Sequence, residues 1–170
     1  MPFQLPRKTT CRAGVLSDTH GHLPQAVVNQ LRDVDLIIHA GDIDTPDILP
    51  VLARIAPVVA VQGNMDRGKW TSGLSMTETT RAGGKWIHVL HDLNNLDLVP
   101  EAAGFSVVVS GHTHRPHLSH RSGVMYLNPG SATHPRRPFP ASLAILEIRE
   151  ESVDARFIDL ERQCALAALF

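Results

Sequence analysis

Val15-Leu16-Ser17-Asp18-Thr19-His20-Gly21-His22 decides how the rest of the chain is read. An apolar run ends at a carboxylate and an imidazole two positions apart, then breaks at glycine. A buried strand delivers two metal ligands at its carboxyl end in this way. The pattern recurs. The apolar run at 35–40 closes in Gly41-Asp42, and the run at 57–61 closes in Gly63-Asn64-Met65-Asp66. The spacings are 42 − 18 = 24 and 64 − 42 = 22 residues, which suits compact strand-helix-strand units. The first strand is predicted at 13–17. A helix follows His22-Leu23-Pro24 and ends near Asp33, with Val27, Val28 and Leu31 on its apolar face. A second is predicted at 46–55 through Ile48, Leu49, Leu52 and Ile55, where Pro50 implies a break or a short first turn. Near-continuous apolar strands with helices between them predict α/β architecture with a parallel sheet covered on both faces.

The pattern changes after Arg67. Two β-prone runs at 77–81 and 85–90 flank Ala82-Gly83-Gly84, a hairpin signal from which the strands are expected to become antiparallel, giving the C-terminal half α+β character. A short helix is predicted at 97–103, and strands at 106–110, 116–120, 124–127, 143–148 and 153–158. Residues 1–12 read as a loosely held tail and 13–170 as a single domain.

Bulk properties narrow the function classes. In 170 residues, 16 basic side chains balance 17 acidic ones, and 43% of the residues are hydrophobic. The chain can therefore bury one core, and it lacks the general positive field that binds a nucleic-acid backbone. Cys11 and Cys164 match neither a zinc knuckle nor a disulfide framework and are expected to be reduced. No signal-peptide core and no membrane-length apolar run is present, so a cytoplasmic location with no membrane partner is expected. Ten histidines are many for this length. Several lie beside Gly and Asp at the ends of apolar runs, where imidazole serves better as a ligand than as packing.

In an open sheet with helical crossovers, ligands bind beyond the carboxyl ends of the strands. Five successive strands here end in Asp18 and His20, Asp42, Asn64, His91, and His112 with His114. A mononuclear site cannot use seven side chains. Two ions sharing one carboxylate would take four each, and the mixed N/O set suits Mn, Fe, Zn, Ni or Co better than calcium. Two ions ~3.5–4 Å apart can lower the pKa of a bridging water and stabilise charge in a displacement at phosphorus. Taken singly, Asp18, Asp42 or Asn64 could be a helix cap or an Asx turn.

The ordered series Asp18-Thr19-His20, Gly41-Asp42, Gly63-Asn64-Met65-Asp66, His91, Gly111-His112-Thr113-His114 and Asn128-Pro129-Gly130-Ser131 resembles the calcineurin-like metallophosphoesterases, and within them the small YfcE-type phosphodiesterases. The resemblance runs from about residue 13 to the final strands. It implies a fold of two packed mixed sheets flanked by helices. It implies Asp18, His20, Asp42 and His114 on one metal, and Asp42, Asn64, His91 and His112 on the other, manganese being the first expectation. It also implies attack on a phosphodiester by a metal-bridging hydroxide, and a homodimer. Larger relatives place histidine after the asparagine to protonate the leaving group, whereas this chain has Met65, as the YfcE-type branch lacks that histidine. Asp92 stands where relatives usually have glycine, and it could either orient a ligand or perturb the backbone.

The remaining candidates carry bland readings beside the functional ones. Arg67 and His22 are candidate contacts to a small phosphoester substrate, though His22 serves equally as a helix cap and Arg67 as a structural ion-pair partner. Arg115 is a weaker candidate of the same kind. His39 and His88 read as core and sheet-face residues, and His117, His120 and His134 as solvated. The rival to an enzyme is a docking scaffold with the same fold, like the related retromer subunit, although that subunit departs from the full ligand set. A nuclease is disfavoured by the near-neutral charge.

Overall fold

The structure is a computed structural model that describes residues 3–4 and 9–166. In chain order it forms β1 (Phe3–Gln4), β2 (Thr10–Leu16), α1 (Gln25–Gln30), β3 (Leu36–His39), α2 (Ile48–Ala53), β4 (Val58–Ala60), β5 (Thr77–Ala82), β6 (Lys85–Leu90) and β7 (Val107–Val109). It continues with β8 (Pro116–Arg121), β9 (Val124–Pro129), β10 (Ser142–Arg149), β11 (Val153–Asp159) and β12 (Cys164–Ala165). Two mixed six-stranded sheets result, ordered β12-β11-β10-β2-β3-β4 and β1-β5-β6-β7-β9-β8.

Alternation along the strands builds the layers. In β2, Ala13 and Val15 face the second sheet while Leu16 faces the helices; in β3, Leu36 and Ile38 divide from Ile37 in the same sense. The core between the sheets also takes Ile87, Val89, Val107, Val109, Met125 and Leu127. On the outer face of the first sheet, Val27 of α1, Leu31 at its C-cap, and Ile48 and Leu52 of α2 are buried against Leu16, Ile37, Leu143 and Ile145. A Cβ on Gly14 would fall 2.1 Å from Leu31 Cδ2, so α1 approaches β2 as closely as it does because position 14 has no side chain. The outer face of the second sheet is covered differently, by Leu93 and Leu96 against Leu90, Val108, Val124 and Tyr126.

Several expectations change in detail. The first strand opens at Thr10, so 10–12 belong to the sheet rather than to a tail, and residues 3–4 pair in parallel with β5. The rest of the leading segment lies outside the described residues. Pro50 does not break α2: it is the third helical residue, where a missing N–H leaves no helical bond unmade. The helix expected at 97–103 does not form. Pro100 interrupts it, Val99 is 59% exposed and offers no face to bury, and the segment bends through turns to Gly104 at φ 78°. Strands after the hairpin are not uniformly antiparallel, because β6, β7 and β9 pair in parallel. The strands expected to run all parallel are joined by β10 and β11, which pair antiparallel to β2 and to each other. No helix among the described residues is long and apolar enough to cross a membrane.

Candidate metal centre

All seven predicted side chains sit just past the ends of β2, β3, β4, β6 and β7, and the loops carrying them meet at one edge of the two sheets. The loops are strained where they carry these groups. Of the eight non-glycine residues with positive φ among the described residues, five are Asp18, His20, Asp42, His112 and His114, and a sixth is Asp44. Each such residue costs of order 1–3 kcal/mol, and strain of this kind collects at functional sites.

Asp18, His20, Asp42 and His114 each offer a donor atom, and those four atoms lie within 4.8 Å of one another. His20 Nε2 and His114 Nε2 are 3.3 Å apart, His114 Nε2 is 3.2 Å from Asp18 Oδ1, and His20 Nε2 is 3.9 Å from Asp42 Oδ2. The remaining three adjoin them. Asp42 Oδ2 is 3.3 Å from His91 Nε2, and Asn64 Oδ1 is 3.1 Å from His91 Nε2 and 3.0 Å from His112 Nδ1. Asp42 thus touches both groups.

What lies behind the rings fixes which nitrogen faces inward. His20 Nδ1 donates to Asp44 Oδ2 at 3.0 Å, His91 Nδ1 donates to the Ala40 carbonyl at 2.7 Å, and His114 Nδ1 donates to the His134 carbonyl. In the neutral rings each Nε2 therefore carries its lone pair into the centre. Two lone pairs facing at 3.3 Å repel unless a cation sits between them, so the His20 to His114 approach reads as a shared ligand geometry rather than a hydrogen bond. Asp18 Oδ1 agrees: it is fully buried and accepts no hydrogen bond, although His114 is close. A buried carboxylate oxygen without a donor is costly unless a cation takes the donor's place. The donor set therefore fits divalent metal.

The electrostatics point the same way. Burial works against charging His91, but the Asp42 carboxylate and the Ala40 carbonyl outweigh it and raise its pKa above the usual imidazole value. Asp18 raises that of His114, against burial and the Arg136 charge. For Asp42, burial is outweighed by His91 and the Met65 N–H, and its pKa falls. A pocket that stabilises positive charge on imidazole will also attract a cation. His39 differs: burial drives its pKa down to about 4, and Thr19 Oγ1 lies 3.0 Å from its Nε2, so it is the core histidine expected.

The scaffold includes residues outside the seven strand-end side chains. Asp66 is 3% exposed, and its carboxylate accepts four backbone N–H bonds: Oδ1 from Ile43 and Asp44 at 2.7 Å each, Oδ2 from Asp42 at 3.1 Å and Gly63 at 2.7 Å. It clamps the β3 loop to the β4 loop. Position 63 must be glycine for this, because a Cβ there would stand 2.2 Å from the Asp42 nitrogen. Ser131 Oγ donates to the Asp18 carbonyl at 2.8 Å, and Asn128 Nδ2 donates to the Gly111 carbonyl at 2.6 Å, so the 128–131 turn braces two ligand loops from behind. Asp92 keeps an extended backbone. Its Oδ1 accepts from Asn94 N, and its Oδ2 stands 3.9 Å from His112 Nε2, which leaves His112 Nδ1 toward the centre. His22 and Arg67 are exposed and line neither groove beside the centre; α1 is capped at Pro24 without a side-chain bond, so His22 is not its cap.

Comparison with known proteins agrees with this geometry. Residues 12–151 match the calcineurin-like phosphoesterase superfamily domain. A probable metallophosphoesterase of Methanothermobacter thermautotrophicus is 43% identical over 157 residues, 85% of this chain and 90% of that protein. A phosphodiesterase of Methanocaldococcus jannaschii is 26% identical over 137 residues, 70% of this chain and 82% of that one. Among solved structures, a predicted phosphoesterase of Streptococcus pneumoniae aligns with a TM-score of 0.77 at 25% identity, over 94% of this chain and 95% of the other. Vps29 of Entamoeba histolytica shares the fold with a TM-score of 0.74 at 24% identity, over 91% of this chain and 95% of its own.

Proposed function

Since the chain belongs to the calcineurin-like phosphoesterase superfamily, we propose that it hydrolyses phosphodiesters at a centre built for two divalent transition-metal ions, manganese foremost. The observation that carries this reading is the convergence of imidazole nitrogens and carboxylate oxygens from separate loops on one another, with Asp18 Oδ1 buried and without a hydrogen-bond partner. Asp18, His20, Asp42 and His114 form one group of four ligands, and Asp42, Asn64, His91 and His112 the other, with Asp42 common to both. When bound, such a pair polarises phosphoryl oxygens and acidifies a coordinated water.

The chain itself positions and insulates. Asp44, the Ala40 carbonyl and the His134 carbonyl hold three rings in the tautomer that leaves Nε2 inward, and Asp66 holds the two loops that present Asp42 and Asn64. Diesters rather than monoesters are favoured by the resemblance to the small phosphodiesterase branch, which also lacks a histidine after the asparagine; here that position is Met65, 46% exposed beside Asn64, with no proton to offer a departing alkoxide. The M. jannaschii relative, named a phosphodiesterase, supports the same preference.

The test uses metal-stripped protein and bis(p-nitrophenyl) phosphate, with and without manganese or nickel. Turnover that requires the ion and is lost in Asp42→Ala is expected. No turnover with any metal, and Asp42→Ala indistinguishable from the parent, would replace the enzyme with a docking scaffold.

A further inference from the structure

Beside the proposed centre lies a groove of 690 Å³ that contains none of the seven ligands, yet is bounded by their immediate neighbours. Asp92 follows His91, Gly111 and Thr113 enclose His112, and Arg115 follows His114. Arg136 and Phe139 close the far wall, brought together by a turn in which Phe139 N donates to the Arg136 carbonyl at 3.1 Å. The turn is tied to the centre, because Arg136 N donates to the His114 carbonyl at 3.3 Å. Neither the Arg115 nor the Arg136 guanidinium has an ion pair or side-chain hydrogen bond among the described residues. Arg115 and Arg136, both exposed, are the arginines of a lining whose one carboxylate is Asp92, and a guanidinium without a protein partner can take phosphate oxygens in bidentate fashion.

The opposite side of Asp92 is different in charge. A second groove of 410 Å³, which includes Asn64, His91 and His112, has Asp92 and Asp97 as its charged groups outside the ligands. An anionic arm would be repelled there, so the two sides differ in what they accept and a substrate would lie across the centre in one direction.

We infer that the groove of Arg115 and Arg136 binds a second phosphate carried on one ester arm of the substrate, so that the preferred substrates are small diesters with a phosphorylated arm, such as an end-phosphorylated dinucleotide. The inference rests on the proposed phosphodiesterase reading for the diester itself. The Phe139 side chain, half-buried in the groove wall, supplies an apolar surface for whatever joins the two phosphates.

The experiment has two readouts. The first is binding of 5′-phosphorylated diadenylate (pApA) and unphosphorylated diadenylate (ApA) to chelator-treated protein by calorimetry. The second is the ratio of kcat/KM for the same pair on the manganese-loaded protein. A baseless diester with a terminal ribose phosphate shows whether the phosphate alone or the nucleoside is recognised. The parent is expected to favour the phosphorylated member by about ten- to a hundredfold in both readouts, the range for hydrogen bonds to a charged group. Arg115→Ala/Arg136→Ala should bring the ratio near one, while Arg115→Lys/Arg136→Lys keeps part of it. A merely structural lesion lowers both members together and leaves the ratio, which would overturn the inference, as would a parent ratio near one. Preferential binding without hydrolysis of any diester would sustain this site and overturn the phosphodiesterase reading; hydrolysis without preference would do the reverse.

Discussion

Asp66→Asn isolates the clamp that joins the two central ligand loops. The substitution keeps shape and volume but turns one carboxylate oxygen into an amide NH2. At the Oδ2 position that NH2 would face the N–H groups of Asp42 and Gly63, both in buried bonds. At the Oδ1 position it would face Ile43 N–H, buried, and Asp44 N–H, half-buried and within reach of water. The amide is expected to choose the second orientation, leaving one fully buried donor and one partly hydrated donor unpaired. At about 1–3 kcal/mol for a buried unsatisfied group, the loss is about 2–4 kcal/mol, since water relieves the second donor in part. For a chain of this size each kcal/mol lowers Tm by about 2–4 °C, so a fall of roughly 5–15 °C follows. Urea unfolding of chelated protein measures the stability, and manganese titration measures the centre, which should weaken as Asp42 and Asn64 lose their fixed spacing. A variant within about 0.5 kcal/mol of the parent, with unchanged manganese affinity, would refute the claim that Asp66 holds these loops.

Three further outcomes are expected. His39 is held neutral, its pKa pushed down to about 4 from 6.5, so it contributes stability above pH 6.5 that is lost as pH falls toward 4. In chelated protein, the difference in unfolding free energy between parent and His39→Gln should therefore shrink by about 3 kcal/mol over that interval, and a difference constant with pH would contradict it. The raised His91 and His114 pKa values mean that protons occupy the centre below the unfolded value of 6.5 and are shed as pH rises through the folded values. Metal must displace them, so manganese affinity should climb as pH rises above 6.5 through the raised values, with proton release detectable in buffers of different ionisation enthalpy; flat affinity would exclude it. Met65→His should raise kcat for diesters with alkyl leaving groups by at least about a hundredfold relative to aryl ones, and equal effects on both would remove the leaving-group argument.

The side chains that the structure brings together at the centre were legible because they follow the ends of buried strands. An apolar run that stops at Asp18, Asp42 or His91 announces both the strand and the group at its end. The orienting residues were not legible, since Asp44 and Asp66 act across loops from different strands, and nothing local distinguishes them from ordinary turn aspartates. The hairpin of β5 and β6 follows from its Gly-Gly turn, whereas the parallel pairing of β6 with β7 and β7 with β9 depends on long-range register that alternation does not encode. The two-residue strands β1 and β12 are too short to carry a periodic signal. Arg115 and Arg136 are 21 residues apart in sequence (136 − 115), and it is the fold, with Arg136 N bonded to the His114 carbonyl, that brings them to one groove.

The central claim is a shared pair of ions, and metal stoichiometry tests it most directly. Dialysed protein, reloaded with manganese and assayed by elemental analysis against protein concentration, should hold two ions per chain. Asp42→Ala should lose both, because it removes the ligand common to the two groups, while His114→Ala should lose one. A single ion in the parent, or an Asp42→Ala variant that still holds two, would contradict the account.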